Sequence, residues 1–258
     1  MTESDAPWHT FTLPERVETR RLVLRPYAPG DGPALKQAID DNLDHLKAWM
    51  PWAAAEPSPL EAIEERVGAF AANFEAGPDW PYAIFVRGET AIAGSTGIHA
   101  RIGPNALEIG YWIDRRLTRR GYATEAAAAM TATAFGAPAV ERVEIRCDPR
   151  NAASAAIPRR LGYRHVATLE KNTTTPVGDP RDTMVWELTR RAFVERQLEF
   201  AHYLTTPSTP PPAATARELL RHTVATLAYR GGKALRGAPA DFGTARLSPG
   251  SRAAGEFD

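Results

Sequence analysis

Residues 108–130 read EIGYWIDRRLTRRGYATEAAAAM. The first half alternates large apolar residues with small or polar ones, the period-2 pattern of a strand. The second half is alanine-rich and reads as a helix from Tyr122 to about Phe135, ended by Gly136 and Pro138. Between them lies TRRG, a short cationic turn hinged on Gly121. The first backbone N–H groups of a helix have no intrahelical partner and carry the positive end of its dipole. Gly121 lets a ligand approach the backbone closely, and Arg119 and Arg120 add charge at the rim. The arrangement suits a phosphate or pyrophosphate. The chain contains neither G-x-x-x-x-G-K-[ST] nor G-x-G-x-x-G, so the anion is one that is bound without being cleaved. The alternative is an ordinary turn glycine beside a solvated arginine face.

Working outward, RLVLRP (21–26) alternates like a half-buried strand. Asp31 is placed to cap a helix that buries Leu35, Ala38 and Ile39. SPLE (58–61) opens a second long helix, with Ser58 as cap, Pro59 in the first turn and Glu61 three residues on. Ile63, Val67, Phe70 and Phe74 follow at helical spacing, and Gly77 ends the run. Strands are expected at 82–87, 91–100 and 107–114, with a hairpin turn at Gly88. A strand at 141–147, a short helix at 151–162 and strands at 163–170 and 182–190 complete the order. The fold class is α/β (α+β), a mixed and mostly antiparallel sheet with helices on both faces.

The bulk numbers narrow the function. Formal net charge is zero over 258 residues, which argues against a general nucleic-acid binder. A single cysteine, Cys147, excludes an intrachain disulfide and favours a reducing cytoplasm. The N-terminus lacks the apolar core of a secretory signal, and no run of 18 apolar residues suggests a membrane span. Residues 1–16 are expected to be a flexible tail and 17–200 the folded domain. TTPSTPPPAATA (205–216) makes up most of a Pro/Thr linker (201–216), and 217–258 hold one amphipathic helix and a polar tail.

The ordered set EIGYWI, TRRGYATEA and NAASAAIPRRLGY resembles the GNAT N-acetyltransferase superfamily, in the style of its RimJ/RimL branch. RLVLRPYAPGDGPAL and LKAWMPW resemble the same branch, so the likeness runs from about residue 18 to 192. The family's pyrophosphate loop, Q/R-x-x-G-x-G/A, corresponds to Thr118 through Ala123. Thr118 departs from it, at the cost of one side-chain contact. The resemblance implies acetyl-CoA as donor, bound by Arg119, Arg120, Gly121, Tyr122, Ala123 and Thr124. It also implies a bulge near Gly110 that splays this strand from the next, so that Trp112 and Ile113 offer backbone groups to the pantetheine arm. Asn151 and Ser154 match the second cofactor element: Asn151 would bond the pantetheine and Ser154 would sit near the sulfur. Both residues also read as local helix caps. Since Pro158 cannot sit deep in a helix, helical bonding is expected to begin near Ser154.

Acetyl transfer to an amine requires a base. Glu108, just before Gly110, reads either as that base or as a solvent-facing strand carboxylate, and Glu125 as a partner for the helix dipole. Trp49 and Trp52, bracketing Pro51, read as an acceptor groove or as core. Cys147 reads as a small buried strand residue, and His165 as surface. No histidine or cysteine spacing suggests a metal. Two functions stay open. One is transfer of acetyl from acetyl-CoA to a protein N-terminal amine, ribosomal-protein-like, or to a small amine, by a monomer or homodimer. The other is a non-catalytic acyl-CoA-binding module. Neither needs nucleic acid or membrane. The tail helix faintly resembles the first helix of DinB-like bundles.

Overall fold

A computed structural model of the chain describes residues 12–88 and 90–204. The expected linker beyond 204 and the DinB-like helix lie outside these residues. Eight strands form one sheet in the order β1-β2-β3-β4-β5-β6-β8-β7. They are β1 Val17–Glu18, β2 Leu22–Pro26, β3 Asp79–Val86, β4 Ile92–His99, β5 Ala106–Ile113, β6 Arg142–Cys147, β7 Arg164–Thr174 and β8 Pro180–Thr189. Every pair is antiparallel except β5–β6. The helices are α1 Gly32–Asp40, α2 Leu43–Lys47, α3 Leu60–Ala76, α4 Tyr122–Phe135, α5 Ala152–Arg160, α6 Arg190–Glu195 and α7 Gln197–Leu204.

The two sheet faces are covered differently. On one face α4 lies across β2, β4, β5 and β6, against Leu22, Leu107, Ile109, Val143 and Ile145. Residues Thr124 to Phe135 are all buried. Alanine at 126–129 lets the helix press onto the strands, and a larger stripe there would hold it off. On the other face α1 and α3 cover β2, β3 and β4 through Leu35, Ile39, Ile63 and Val67. Toward β6 and β8 that face carries charge instead. Glu108, Glu144 and Glu187 stand in register across β5, β6 and β8. Like charges side by side repel, and arginines interleave them. Arg101 bridges Glu108 at 2.6 Å, Arg146 reaches Glu144 at 2.9 Å and Glu108 at 4.0 Å, and Arg142 reaches Glu144 at 3.1 Å and Glu187 at 3.9 Å.

Several local expectations are corrected. Ser58 does not cap α3; Pro59 occupies the cap position, and the Ser58 N–H donates to Glu56. Asp31 does not cap α1 with its side chain, because Arg25 takes both carboxylate oxygens at 2.7 and 2.8 Å. The short helix expected at 151–162 runs over Ala152–Arg160, and its first backbone bond, from the Ala155 N–H to the Asn151 carbonyl, falls beside Ser154 as expected. The chain is already packed before residue 17: Leu13 is buried, and the Tyr82 hydroxyl donates to the Pro14 carbonyl. At the other end, α6 and α7 carry the domain past residue 200, with Phe193, Phe200 and Ala201 in the core. Thr189 caps α6, its hydroxyl accepting from the Ala192 N–H. The edge strand β7 is mostly exposed, and its pairing with β8 slips twice, between His165 and Ala167 and between Leu169 and Thr173.

Candidate active site

The β5–β6 ladder stops at Ile109–Ile145. Beyond it β5 stays on β4 as far as Ile113, and β6 stays on β8 as far as Cys147. Each strand follows its other neighbour, so the two part. The parting is not caused by a bulge at Gly110, as the sequence implied: the β4–β5 register runs through Gly110 unbroken. At Gly94 a Cβ would collide with the Trp112 carbonyl, so a glycine there keeps β4 hard against β5 opposite the gap.

Two cavities meet at this gap. The smaller, about 420 Å³, runs along the N-terminus of α4 and the start of α5. The larger, about 840 Å³, opens under α1 and α3 toward β8. Trp49, Met50, Tyr111, Trp112, Asn151 and Ser154 line both.

The smaller cavity gathers most of the residues expected to bind a cofactor. Trp112, Ile113, Thr118, Arg119, Gly121, Tyr122, Ala123, Thr124, Asn151 and Ser154 lie on its wall. Gly121 precedes α4 with φ +81° and Arg119 has φ +62°. Left-handed backbone of this kind is what anion-binding nests are built from. Arg120 is the exception: its side chain is not on the wall, and its carbonyl accepts from Arg21 at 2.8 Å. Arg21 stacks 4.5 Å above the Tyr122 ring. It also clasps Glu125, whose Oε1 accepts from the Thr19 hydroxyl at 2.6 Å and from the Arg21 N–H at 2.8 Å. Glu125 thus does more than answer the helix dipole: it pins the β1–β2 turn to the first turn of α4. Arg160 adds a cation at the far wall that the sequence did not single out.

At the junction, Asn151 caps α5, its side-chain oxygen accepting from the Ser154 N–H at 3.0 Å. The capping alternative therefore holds for Asn151, and Ser154 lines both cavities. Pro158, four residues on, has no N–H, so the Ser154 carbonyl loses its helical donor. The Tyr111 hydroxyl fills that place, 3.4 Å from the carbonyl and 3.5 Å from Ser154 Oγ. Burial holds that phenol protonated, its pKa well above the ordinary tyrosine value. Tyr111 was not expected as a site residue; its signal is Pro158, which frees an acceptor opposite it.

In the larger cavity lie Glu108, Trp49 and Trp52. Glu108 is not a solvent-facing carboxylate: it is 8% exposed and takes two bonds from Arg101, at 3.1 and 2.6 Å. Arg181 donates to the Trp49 carbonyl at 2.8 Å, tying the tryptophan segment to β8. Cys147 also lines this cavity, and burial raises its thiol pKa, which keeps it neutral and unreactive. A further pair went unnoticed in the sequence. His99 Nδ1 lies 2.7 Å from Asp79 Oδ1, its register partner on β3. Only strand topology joins two residues that far apart in the chain. Among the described residues no group of three or more His, Cys, Asp or Glu side chains is placed to hold a metal ion. No helix among them is long and apolar enough to cross a membrane.

Comparison with known proteins agrees with this geometry. The family described as Acetyltransferase (GNAT) domain matches residues 21–164. The uncharacterized N-acetyltransferase YnaD of Bacillus subtilis is 23% identical over 155 residues, covering 60% of this chain and 86% of YnaD. A RimL ribosomal L7/L12 alpha-N-protein acetyltransferase, solved with coenzyme A, superposes with a TM-score of 0.60 at 24% identity, over 68% of this chain and 99% of its own. Mycobacterium smegmatis RimJ, solved with CoA-disulfide, superposes with a TM-score of 0.61 at 21% identity, over 82% and 94%. These two share the fold. The family match spans more than half of the sequence, from β2 to α5, which takes in the frame of the smaller cavity and most of that of the larger: the chain belongs to the GNAT acetyltransferases.

Proposed function

We propose that this chain transfers an acetyl group from acetyl-CoA to a primary amine, by direct attack in a ternary complex. The observation that carries the reading is the junction of two cavities at Tyr111 and Ser154. The smaller takes the cofactor. Its pyrophosphate rests on the N–H groups around Gly121 and on Arg119, and its pantetheine arm enters the β5–β6 gap along Trp112 and Ile113. Thr118 and Arg120 contribute backbone rather than charge. The larger cavity takes the acceptor between Trp49 and Trp52.

Three needs of the reaction have residues to meet them. Backbone N–H groups beside the gap stabilise the tetrahedral oxyanion. Ser154 donates a hydrogen bond to the departing thiolate, with the Tyr111 hydroxyl holding the Ser154 carbonyl from behind. Glu108 draws the acceptor's ammonium into the cavity and is the carboxylate candidate for its proton. Since Arg101 occupies both of its oxygens, that transfer runs through water. The size of the acceptor cavity admits a peptide N-terminus, as the RimL relative's description would suggest, or a small amine.

A thermal melt with saturating acetyl-CoA tests the cofactor half. A ligand at about 100 times its Kd adds roughly 2.7 kcal/mol, which is about 5–10 °C for a domain of this size. Release of free thiol on adding primary amines tests the transferase half. Binding without thiol release would leave the acyl-CoA-binding module standing.

A further inference from the structure

An ionisable row crosses the sheet beside the gap. Asp79 on β3 pairs in register with His99 on β4, and His99 pairs in register with Glu108 on β5. The imidazole at its centre is built into place. Asp79 holds Nδ1 at 2.7 Å. Asp79 is itself kept below the ordinary aspartate range by that bond and so stays ionised. An ionised carboxylate only accepts hydrogen bonds, so Nδ1 carries a proton, and in the neutral ring Nε2 is the nitrogen that presents a lone pair. The other side of the ring lies over Gly97 and Gly110, which face each other across β4 and β5. A Cβ at Gly97 would fall 2.8 Å from Nε2, and one at Gly110 would fall 3.8 Å from it. The two glycines are the room in which the ring sits. Gly110 is also the first β5 residue past the end of the β5–β6 ladder. Nε2 therefore stands at the mouth of the gap, on the acceptor side, and His99 lines the larger cavity.

We propose that His99 is the general base for the acceptor amine, with Asp79 as its positioning residue. The inference rests on the acetyl-transfer reading above. Glu108, its cross-strand neighbour, keeps the role of attracting the ammonium and loses that of removing its proton. The ammonium first gives one proton to Nε2, which passes it to water, and the freed amine lone pair forms the C–N bond to the thioester carbonyl. An N–H proton passes to Nε2, the C–S bond breaks, and the thiolate leaves against Ser154. The imidazolium, flanked by Asp79 and Glu108, then returns its proton to water. An imidazole suits this work better than a carboxylate. A neutral imidazole is the side chain most often used as a general base, and here Arg101 occupies both oxygens of the Glu108 carboxylate. The other charges on this cavity wall are Arg101, Arg66 from α3, Arg146 from β6, Asp148 and Arg181. Arg101, Arg66, Arg146 and Asp148 are each held by a partner of opposite sign: Glu108, Glu56, Glu144 and Arg150.

The test is the pH dependence of thiol release from acetyl-CoA, with a panel of primary amines and with water alone, for wild type, His99→Gln, Asp79→Asn and Glu108→Gln. In wild type, kcat falls on the acid side as the base is protonated. His99→Gln is expected to lower kcat at neutral pH by about a hundredfold. It should also replace that limb with one set only by deprotonation of the free amine, which shifts when the amine is changed, and it should keep the acetyl-CoA melt shift. Asp79→Asn should retain an acid limb, moved to lower pH, with a loss of about tenfold. Glu108→Gln should raise the acceptor KM and leave the limb in place. A His99→Gln enzyme within twofold of wild type in kcat overturns the proposal, and so does an acid limb lost in Glu108→Gln but kept in His99→Gln. A protein that binds acetyl-CoA yet releases thiol to no amine and not to water also overturns it. Absence of any acetyl-CoA melt shift in wild type is a separate result, which removes the cofactor reading itself.

Discussion

The two cavities are built by different means. The smaller comes chiefly from two short stretches, Thr118–Thr124 and Asn151–Arg160, each a turn running into a helix. Its main groups are backbone N–H donors, positioned by φ angles and caps. The larger is assembled from α1, α3, the Pro51–Ala55 turn, four sheet strands and the β7–β8 end. Its groups are side chains, and the charged ones are mostly held by partners of opposite sign. A site made of backbone in one stretch should be vulnerable at single positions. One made of dispersed side chains should lose function in smaller steps.

That contrast can be broken, starting from the largest effect. Gly121→Val puts a β-branched residue at φ +81°, with its Cβ 3.3 Å from Arg21. Left-handed backbone costs such a residue at least ~1–2 kcal/mol, and the side chain stands in the cradle. The acetyl-CoA melt shift should vanish; a full shift would show that the turn is not the anion site. Glu125→Gln should cost about 2 kcal/mol in urea unfolding, since it weakens bonds from Thr19 and Arg21 to a side chain only 2% exposed. No loss would mean that the β1–β2 turn holds its place unaided. Ser154→Ala should lower kcat about tenfold, the worth of one hydrogen bond, with acetyl-CoA binding kept. Equal loss of cofactor affinity would make Ser154 a binding group instead. Trp52→Ala removes a ring that is 41% exposed. It should raise the acceptor KM about threefold, a fraction of a fully buried aromatic's worth, with the melt shift untouched. A hundredfold effect would break the contrast, by showing that one side chain governs the acceptor side as one glycine governs the other.

The same contrast decides what the sequence discloses. The cofactor side is legible because its signals are local: the period change from strand to helix at Gly121, and Asn151 three residues before Ser154. The sheet class and nearly all strands are legible from alternation. The acceptor chemistry is not, because Asp79, His99 and Glu108 become neighbours only once three strands are in register. A mid-strand glycine marks a bulge or a close approach, and the family resemblance implies a bulge at Gly110; here its lack of a side chain makes room for a ring. Glu108 looked exposed because its strand partner Glu144 was unknown, and two adjacent carboxylates need the arginines that cover them. The closing helices were missed because Thr189 caps α6 directly at the end of β8, with no glycine or proline to mark the change.

One edge of the sheet is β1, two residues long; the other is β7, with eleven. A long free edge offers its unpaired amides and carbonyls to any passing strand, and is where sheets grow into aggregates. The two slips in the β7–β8 pairing bear on this. Lys171, with φ +46°, sits inside the second slip, its N–H turned back onto Asp182. An incoming strand would meet no continuous ladder, although Val166 and Leu169 are exposed on β7. Straightening β7 by deleting one of the extra residues would tidy the pairing and leave the protein with a surface on which it could polymerise.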